Sequence, residues 1–388
     1  MRVYQFRHLG LGAVLLGGGP GVNGVAYPSR PTPSLYARRA LSYLSLRRFQ
    51  SFKETAEMAS TAAPRPVGDK LVTVFGGSGF LGRHVVRALA RNGWRVRVAV
   101  RRPDLAGFLQ PLGGVGQVVA TQANVRFPES VAQAAKGADA VVNLVGILAP
   151  AGKQSFAAIQ AEGARVVANA ARAAGASQFV QMSAIGARPD GPAVYASTKS
   201  QGEAAALEAY PDAVILRPSV VFGPEDDFYN RFAALARFSP ALPLIGGGKT
   251  RFQPVFVGDV AQAVAVALDG GVSGGPGAYE LGGPEIRTFE EILQYVLQET
   301  GRSRALLPLP FGLAKAQAKI LQMLPGQLLT VDQVTMLESD NVVSQEAIAD
   351  GRTLSAFGIA PTPVGAVVPG YLWRYRKTGQ FEKTRVEV

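Results

Sequence analysis

The chain of 388 residues contains no cysteine and only two histidines, and both shortages exclude chemistry. Without cysteine there is no disulfide, no thiolate zinc site, no thiolate-bound iron–sulfur cluster and no cysteine nucleophile. His8 lies near the amino terminus, and His84 lies in a predicted helix after a glycine-rich turn. A Ser-His-Asp triad therefore has almost no candidate base. We predict no metal site, and expect any chemistry to come from oxygen or nitrogen side chains or from a cofactor.

Acidic residues are scarce at one end of the chain. The formal net charge is +12, and 47% of the residues are hydrophobic, which is enough for a sizeable core. Residues 1–70 hold ten Lys/Arg and three Asp/Glu, a difference of +7, so the rest of the chain contributes only +5. No run of Lys/Arg interleaved with aromatic residues follows residue 70. Nucleic-acid binding is therefore not expected.

From Lys70 onward, short apolar runs alternate with amphipathic stretches, a pattern typical of a parallel α/β sheet. We predict an α/β fold: a Rossmann-type doubly wound parallel sheet over residues 70–270, with a smaller, mostly helical C-terminal region over 271–388. The predicted strands are 71–75, 95–100, 116–121, 139–145, 178–183 and 213–217. The main predicted helices are 80–93, 155–174 and 194–209.

Gly76, Gly79 and Gly82 form a Gly-x-x-Gly-x-x-Gly turn between the first predicted strand and the first helix. Glycine is needed where a turn leaves no room for a Cβ and where a helix amino terminus must face a pyrophosphate directly. The flanking strand and helix are the context that a dinucleotide site requires. The turn therefore predicts dinucleotide binding, and the alternative is an ordinary tight turn.

Two arginines end the second predicted strand. A NAD site commonly has an acidic residue there for the ribose 2′-hydroxyl, whereas this chain has Arg101 and Arg102. Guanidinium groups suit a 2′-phosphate, so NADP(H) is the preferred cofactor and NAD(H) the second choice. The alternative is that these two arginines are only solvated charges. Arg83, directly after Gly82, is a further candidate phosphate contact.

The first 66 residues form a basic extension with three alternative origins. An Arg- and Ser-rich stretch without acids before Glu54 is typical of a transit peptide. The apolar run 9–16, with Ala26 as a cleavage position, would suit a secretory signal. Met58 could instead be the true start. Because a nucleotide cofactor is an intracellular resource, transit and false-start origins are favoured over export, and residues 1–66 are left out of the predicted fold.

Four further motifs stand beside the glycine turn: VNLVG (142–146), LRPSVVFGP (216–224), QPVFVGDVA (253–261) and the pair Tyr195-x-x-x-Lys199. Together they resemble the extended short-chain dehydrogenase/reductase superfamily, the NAD-dependent epimerase/dehydratase type. Residues 215–260 are similar to one atypical branch, the nucleotide-binding accessory subunit of respiratory complex I and its bacterial homologues. The similarity covers about residues 70–380.

The resemblance implies a role for each matching residue. Tyr195 would be the acid/base, and Lys199 would hold the nicotinamide ribose and lower the pKa of the phenol. Residues four apart share a helix face, and an ammonium there stabilises a phenolate. Ser183, at the end of a predicted strand, would hydrogen-bond a substrate oxygen. The other candidate cofactor contacts are Phe80, Leu81, Asn124, Val145, Gly146 and Pro218.

The motifs depart from the catalytic pattern in two places, which leaves two functions open. One serine, Ser183, stands where active members commonly carry a Ser/Thr pair, and Phe222 stands where tyrosine is usual. The resemblance to the complex I branch implies an accessory or assembly subunit with a tightly held NADPH outside the electron path. The alternative is an active reductase, epimerase or dehydratase that uses Tyr195 and Lys199 on a nucleotide-sugar, sterol-like or isoprenoid substrate.

The C-terminal region carries two candidate contact segments. A capping box at Thr288 and Glu291 predicts a helix that ends near Gly301. Two more helices, broken at Pro325, follow. The first, over 311–324, is amphipathic and basic, and residues 371–377 combine aromatic with cationic side chains. Either segment would suit peripheral contact with a membrane or a membrane-bound partner; the alternative is packing within the domain.

These features predict a peripheral location without a transmembrane helix. The site of action would be the cytoplasmic side of a bacterial inner membrane. If the extension is a transit peptide, it would instead be the matrix side of the mitochondrial inner membrane. The partner implied by the resemblance is respiratory complex I or a related quinone-linked complex.

Overall fold

The computed structural model describes residues 67–323 and 329–381, so the basic extension and Pro325 lie outside the described residues. The strands are β1 (Leu71–Phe75), β2 (Arg95–Val100), β3 (Val118–Gln122), β4 (Ala140–Asn143), β5 (Gln178–Met182), β6 (Val214–Pro218), β7 (Val221–Phe222), β8 (Ala241–Ile245), β9 (Arg251–Phe252), β10 (Val255–Phe256), β11 (Gly277–Leu281), β12 (Arg287–Thr288) and β13 (Ala305–Leu309). The helices are α1 (Phe80–Arg91), α2 (Pro128–Ala135), α3 (Glu162–Ala173), α4 (Val194–Ala209), α5 (Tyr229–Phe238), α6 (Val257–Leu268), α7 (Phe289–Glu299), α8 (Phe311–Leu321), α9 (Val331–Met336), α10 (Gln345–Ala349), α11 (Val364–Val367) and α12 (Pro369–Leu372).

Seven of these strands form one parallel sheet in the order β11-β6-β5-β4-β1-β2-β3. Every neighbouring pair in it runs parallel. The strand order reverses between β1 and β4, and in open α/β sheets this switch point opens a crevice at the carboxyl ends of the strands. The sheet and its flanking helices confirm the predicted Rossmann-type architecture.

Successive side chains of β1 point to opposite faces of the sheet, and both faces are packed against helices. Val72 and Val74 are buried against residues of α1 and α6, whereas Phe75 is buried on the opposite face with residues of α2 and α3. Thr73 also points to that second face and donates its hydroxyl to the carbonyl of Ala134 at 3.0 Å. Burying the side chains of Val72, Val74 and Phe75 contributes about 1.5–3 kcal/mol for each residue. Helices on both faces therefore fix the position of β1, which leads into the glycine turn.

The predicted helix over 155–174 is divided in the structure. A π-helical turn, Ala157–Ala161, precedes α3. Gly202 of α4 lies against this turn, because a Cβ on Gly202 would come within 2.2 Å of the carbonyl oxygen of Gln160. π-Helical turns are rare and frequently mark functional sites. Here the turn packs directly against the helix that carries Tyr195 and Lys199.

The edge strand β11 is not among the strands predicted from the sequence. The sequence predicted that the Rossmann-type sheet ends by residue 270, yet Gly277–Leu281 pairs with β6 along its whole length. Tyr279 and Leu281 are fully buried. The five residues of β11 lie between glycine-rich turns. So short a segment does not show the alternation of apolar and polar residues that identifies a strand in the sequence. Part of the region after residue 270 therefore belongs to the main sheet.

A smaller region is built from α5, α7 and the short ladders β7–β10, β9–β12 and β8–β13. Its core is aromatic, since the ring of Phe289 lies 5.3 Å from that of Phe232 and 6.3 Å from that of Phe252. Helix α7 begins at the capping box of Thr288 and Glu291 that the sequence predicted. This region extends beside the main sheet and carries α8 and α9.

Candidate dinucleotide site

Three glycines of the turn, Gly76, Gly77 and Gly82, are packed too tightly for side chains. Gly76 has a φ of 81°, in the left-handed region that favours glycine. A Cβ on Gly82 would lie 2.4 Å from the carbonyl oxygen of Gly76. A Cβ on Gly77, which the sequence motif does not single out, would lie 2.7 Å from the side chain of Val98. The turn thus lets α1 and β2 approach the end of β1 closely.

Helix α1 starts directly at this turn, with Phe80 and Leu81 as its first residues. The N-cap residue before it is Gly79, which has no side chain to accept a hydrogen bond from the first amides. The first amide groups of a helix have no intrahelical acceptors, and together with the helix dipole they form an anion site. The start of α1 is therefore suited to a pyrophosphate.

Lys199 reaches the same end of the sheet. Its Nζ donates to the carbonyl oxygen of Met182 at 3.2 Å, and a Cβ on Gly146 would lie 3.3 Å from that Nζ. Gly146 follows Val145, whose amide nitrogen would lie 3.2 Å from a Cβ on Gly76. A series of close contacts thus joins the glycine turn, the segment after β4 and Lys199. The structure brings these predicted site residues together.

Tyr195 lies one helical turn before Lys199, whose Nζ is 5.8 Å from the centre of its ring. Phe156 packs edge-on against the same ring at 6.1 Å. Burial, with a further contribution from the charge of Asp332, raises the pKa of Tyr195 to about 12. Burial lowers the pKa of Lys199 to about 8. These surroundings oppose the lowering of the phenol pKa that the Tyr-Lys spacing predicts.

Ser183 supplies a buried hydroxyl directly after β5. Its amide donates to the carbonyl of Leu216 at 2.7 Å, and the residue is 4% exposed. Its Oγ has no hydrogen-bond partner among the described residues. A buried hydroxyl left unsatisfied costs about 1–3 kcal/mol. A ligand oxygen at this position would remove that cost, so the glycine cradle, Lys199 and Ser183 together fit a bound dinucleotide.

The two arginines after β2 are exposed and have different partners. Arg101 donates to the side-chain oxygen of Gln154 at 2.6 Å, a contact with a neutral group. Arg102 forms an ion pair with Asp104 at 2.7 Å, and this hydrogen-bonded pair raises the pKa of Arg102. The charge of Arg102 is therefore balanced locally, whereas Arg101 has no ion-pair partner among the residues that the structure describes.

The remaining predicted contacts are spread around the crevice. Arg83 on α1 lies over the ring of Phe108 at 5.2 Å and 3.4 Å from a carboxylate oxygen of Glu225. Asn124 follows β3, and its side-chain oxygen accepts from a backbone amide in a tight turn. Pro218 is buried at the end of β6. Arg83 thus lies on α1, and Asn124 and Pro218 lie at the carboxyl ends of β3 and β6.

Two features of α4 could not be found by local sequence reasoning. Glu203 is 6% exposed and forms hydrogen bonds of 2.9 and 2.5 Å with Arg217 on β6. At the start of α4, the carboxylate of Asp332 accepts from the amides of Val194 and Tyr195. Arg217 lies on the strand that follows α4 and Asp332 is 137 positions from Tyr195, so no i, i+4 spacing within α4 identifies either partner. Both contacts hold the helix that carries Tyr195 and Lys199.

The switch-point crevice, the glycine cradle and the Lys199 contact define a Rossmann-type dinucleotide-binding protein. The sequence model of the NAD dependent epimerase/dehydratase family matches residues 72–282, more than half of the chain. The chain belongs to this family. Members of the family depend on NAD or NADP, and the resemblance found in the sequence motifs is confirmed.

Relatives of known identity support this assignment. The mitochondrial NADH dehydrogenase (ubiquinone) 1 alpha subcomplex subunit 9 of Arabidopsis thaliana is 34% identical over 331 residues, or 82% of this chain and 81% of that protein. A ceramide reductase of Caulobacter vibrioides is 38% identical over 175 residues, or 45% of this chain and 54% of that protein. The dTDP-glucose 4,6-dehydratase DesIV of Streptomyces venezuelae, solved with NAD and TYD bound, superposes with a TM-score of 0.60 at 18% identity, covering 80% of this chain and 99% of that chain.

Proposed function

We propose that this protein is an NADP(H)-binding accessory, stabilising or assembly subunit of respiratory complex I or of a related quinone-linked membrane complex. The observation that carries the proposal is the dinucleotide cradle, in which the Nζ of Lys199 reaches Gly146 and the carbonyl of Met182 beside the glycine turn. Such a site can hold a nucleotide, and the raised pKa of the Tyr195 phenol agrees with a holding role. The 34% identity with a complex I subunit over most of the chain supports the choice of partner.

In this role the side chains hold the nucleotide and do not act on a substrate. The amides at the start of α1 would bind the pyrophosphate, Lys199 would donate to the nicotinamide ribose, and the Ser183 hydroxyl would meet a ligand oxygen. A bound nicotinamide supplies hydride-transfer chemistry. The accessory role leaves that chemistry unused, and the nucleotide stabilises the folded subunit by mass action.

The preference for NADP(H) is assigned mainly to Arg101. Because its partner Gln154 is neutral, the guanidinium keeps a charge for a 2′-phosphate. Replacing Arg101 with Ala should weaken NADPH binding about tenfold and leave NADH binding unchanged, since a hydrogen bond to a charged group contributes about 1.5–3 kcal/mol. Calorimetric titration with both nucleotides measures this split.

Arg102 provides the matched control for that experiment. Its charge is already paired with Asp104, so Arg102→Ala should change NADPH affinity less than Arg101→Ala does. Equal losses for NADPH and NADH in Arg101→Ala would contradict the assignment, because they would place the arginine away from the 2′-phosphate.

We assign the contact with the membrane complex to the outer face of α8 and the turn directly after it. Leu313, Ile320 and Met323 are 53%, 69% and 83% exposed, with the exposed Lys319 beside them. Ala318 on the opposite face is fully buried. An apolar stripe next to a cation suits an anionic lipid surface or a membrane-bound partner. Within residues 67–323 and 329–381, no helix is long and apolar enough to cross a bilayer.

The second predicted contact segment, 371–377, is used largely within the protein. The hydroxyl of Tyr371 donates to the carboxylate of Asp226 at 2.5 Å, and Leu372 is fully buried. Arg376 donates to the carbonyl of Glu299 at 2.7 Å. Trp373, at 38% exposure, remains the more accessible aromatic ring of this segment. The proposed membrane-facing role therefore falls on α8.

The proposed location is the cytoplasmic side of a bacterial inner membrane, or the matrix side if residues 1–66 act as a transit peptide. Native mass spectrometry of the protein isolated with its membranes should show bound NADPH after dialysis, a membrane-complex partner and the true amino terminus.

The double change Ile320→Glu with Met323→Glu should release the protein from membranes and keep NADPH bound. Val115→Glu, at an exposed valine before β3, is the control and should remain attached.

An active reductase is the second candidate function. The unsatisfied hydroxyl of Ser183, the adjacent Tyr195 and Lys199, and the partial similarity to a ceramide reductase favour it. NADPH consumption with a ketone substrate that is abolished by Tyr195→Phe, with NADPH binding intact, would select this function. A freely exchanging nucleotide and a protein that stays off membranes would point the same way.

A further inference from the structure

Helix α4 begins without a cap of its own. The residue before it, Ala193, has no side-chain acceptor, so the first amides depend on another part of the chain. The amides of Val194 and Tyr195 donate to the two carboxylate oxygens of Asp332 at 2.6 and 3.1 Å. Hydrogen bonds to a carboxylate are stronger than those to neutral acceptors, and a negative charge is favourable at a helix amino terminus. Asp332 therefore holds the start of the Tyr195 helix.

Asp332 itself lies on a short helix that is fixed to α8. Its helix, α9, starts at a capping box formed by Thr330 and Gln333. Val334 of α9 is fully buried in one cluster with Ala314 and Ala318 of α8. Lys315 of α8 pairs with Glu338, just after α9, at 2.8 Å. Helices α8 and α9 thus form one unit, and Asp332 joins this unit to α4.

We propose that Asp332 is a positioning residue of the dinucleotide site, through which nucleotide occupancy and the placement of α8 and α9 depend on each other. The inference rests on the proposed function, because it concerns the nucleotide which that function requires. A nucleotide that contacts Tyr195 and Lys199 favours one placement of α4, and that placement aligns the amides which Asp332 accepts. Coupling between two sites is reciprocal, so a partner on α8 that favours this same placement would tighten nucleotide binding by the factor by which the nucleotide tightens partner binding.

The chemistry of the cap separates this role from general packing. Asp332 makes its contacts through two charged oxygens, so its charge and its acceptors can be removed in steps. Asp332→Asn keeps one carbonyl oxygen as an acceptor, whereas Asp332→Ala keeps none. Asp350, an exposed acidic residue at the end of α10, offers the same change of charge away from α4. Asp350→Asn is therefore the matched control.

The test is hydrogen exchange of the full chain, measured by mass spectrometry with and without NADPH, together with the NADPH dissociation constant. In the wild type, NADPH should slow exchange in residues 331–336. Asp332→Ala should raise the dissociation constant about tenfold and remove this NADPH-dependent protection. Asp332→Asn should lie between the two, and Asp350→Asn should match the wild type. Unchanged exchange in β1 would show that the variants are folded.

The outcomes distinguish a failure of this inference from a failure of the proposed function. If Asp332→Ala binds NADPH as the wild type does and 331–336 are still protected, the inference is wrong and the proposed function stands. Loss of NADPH affinity in Asp332→Ala, with protection of 331–336 retained, would also overturn the coupling. A wild-type protein that binds no NADPH would overturn the proposed function, and this inference with it.

Discussion

Replacing Gly82 with Ala is expected to abolish dinucleotide binding. The new Cβ would lie 2.4 Å from the carbonyl oxygen of Gly76 and 2.6 Å from the Cα of Gly77, and both are backbone atoms that cannot rotate away. Relief requires α1 to move off the turn, which displaces the amides that would hold the pyrophosphate. Losing two hydrogen bonds to a charged group weakens binding about a hundredfold or more, and the overpacking itself costs about 1–3 kcal/mol of folding free energy.

Two other glycines serve as controls for that change. Gly79→Ala places its Cβ 3.4 Å from the Gly76 carbonyl, an ordinary contact, so this change should avoid the overpacking cost and lose only the small preference for glycine at an N-cap. Gly312 lies in α8 with nothing within 4 Å of a new Cβ, and Gly312→Ala should leave NADPH binding intact. Denaturant unfolding and NADPH titration measure both quantities. Wild-type NADPH affinity in Gly82→Ala would show that the turn does not carry the nucleotide.

The parts of the site that local spacing determines were predictable from the sequence. Three glycines between a strand and a helix located the cradle, and the i, i+4 spacing placed Tyr195 and Lys199 on one helix, whose bounds the structure reproduces. The edge strand β11 was missed because glycine-rich flanks hide five alternating residues. The role of Gly77 was missed because its constraint comes from Val98 on another strand.

The electrostatics of the site could not be predicted, because they depend on contacts between distant segments. The Tyr-Lys spacing by itself predicts a lowered phenol pKa. Burial and the charge of Asp332, 137 positions further along the chain, reverse the sign for Tyr195. The same holds for Arg101 and Arg102, which the sequence treats alike and which their partners Gln154 and Asp104 distinguish. A sequence motif therefore identifies the residues of the site, whereas their pKa values and ion pairs depend on tertiary contacts that the motif does not contain.

Replacing Glu203 with Ala is expected to cause the largest loss of stability on α4. Glu203 is 6% exposed, and its two hydrogen bonds to Arg217 tie the helix to β6. Removing one partner of a buried ion pair costs about 3–5 kcal/mol, because the other charge stays without compensation. Arg217 keeps partial exposure and lies 3.9 Å from Glu280, so the loss should be near the lower end, about 3 kcal/mol. Denaturant unfolding of the isolated protein measures it.

Two comparisons isolate the origin of that loss. Glu208→Ala removes the same charge from an exposed position on the same helix and should change stability by less than about 0.5 kcal/mol. The double change Glu203→Met with Arg217→Met replaces the pair by apolar side chains and should recover much of the loss. A double variant as unstable as Glu203→Ala would contradict the ion-pair explanation and point to packing at α4 instead.

The same change should also shift the pH dependence of nucleotide binding. Burial lowers the pKa of Lys199 from 10.5 to about 8, and the negative charge of Glu203 opposes that fall. Without Glu203, the Lys199 pKa drops further, so the ammonium loses its proton at a lower pH. NADPH binding uses the ammonium as a donor, so the affinity falls as the pH is raised. This fall should begin at a lower pH in Glu203→Ala than in the wild type. Because Lys199→Gln has no such proton to lose, a decline of the same size in that variant would assign the pH dependence to another group.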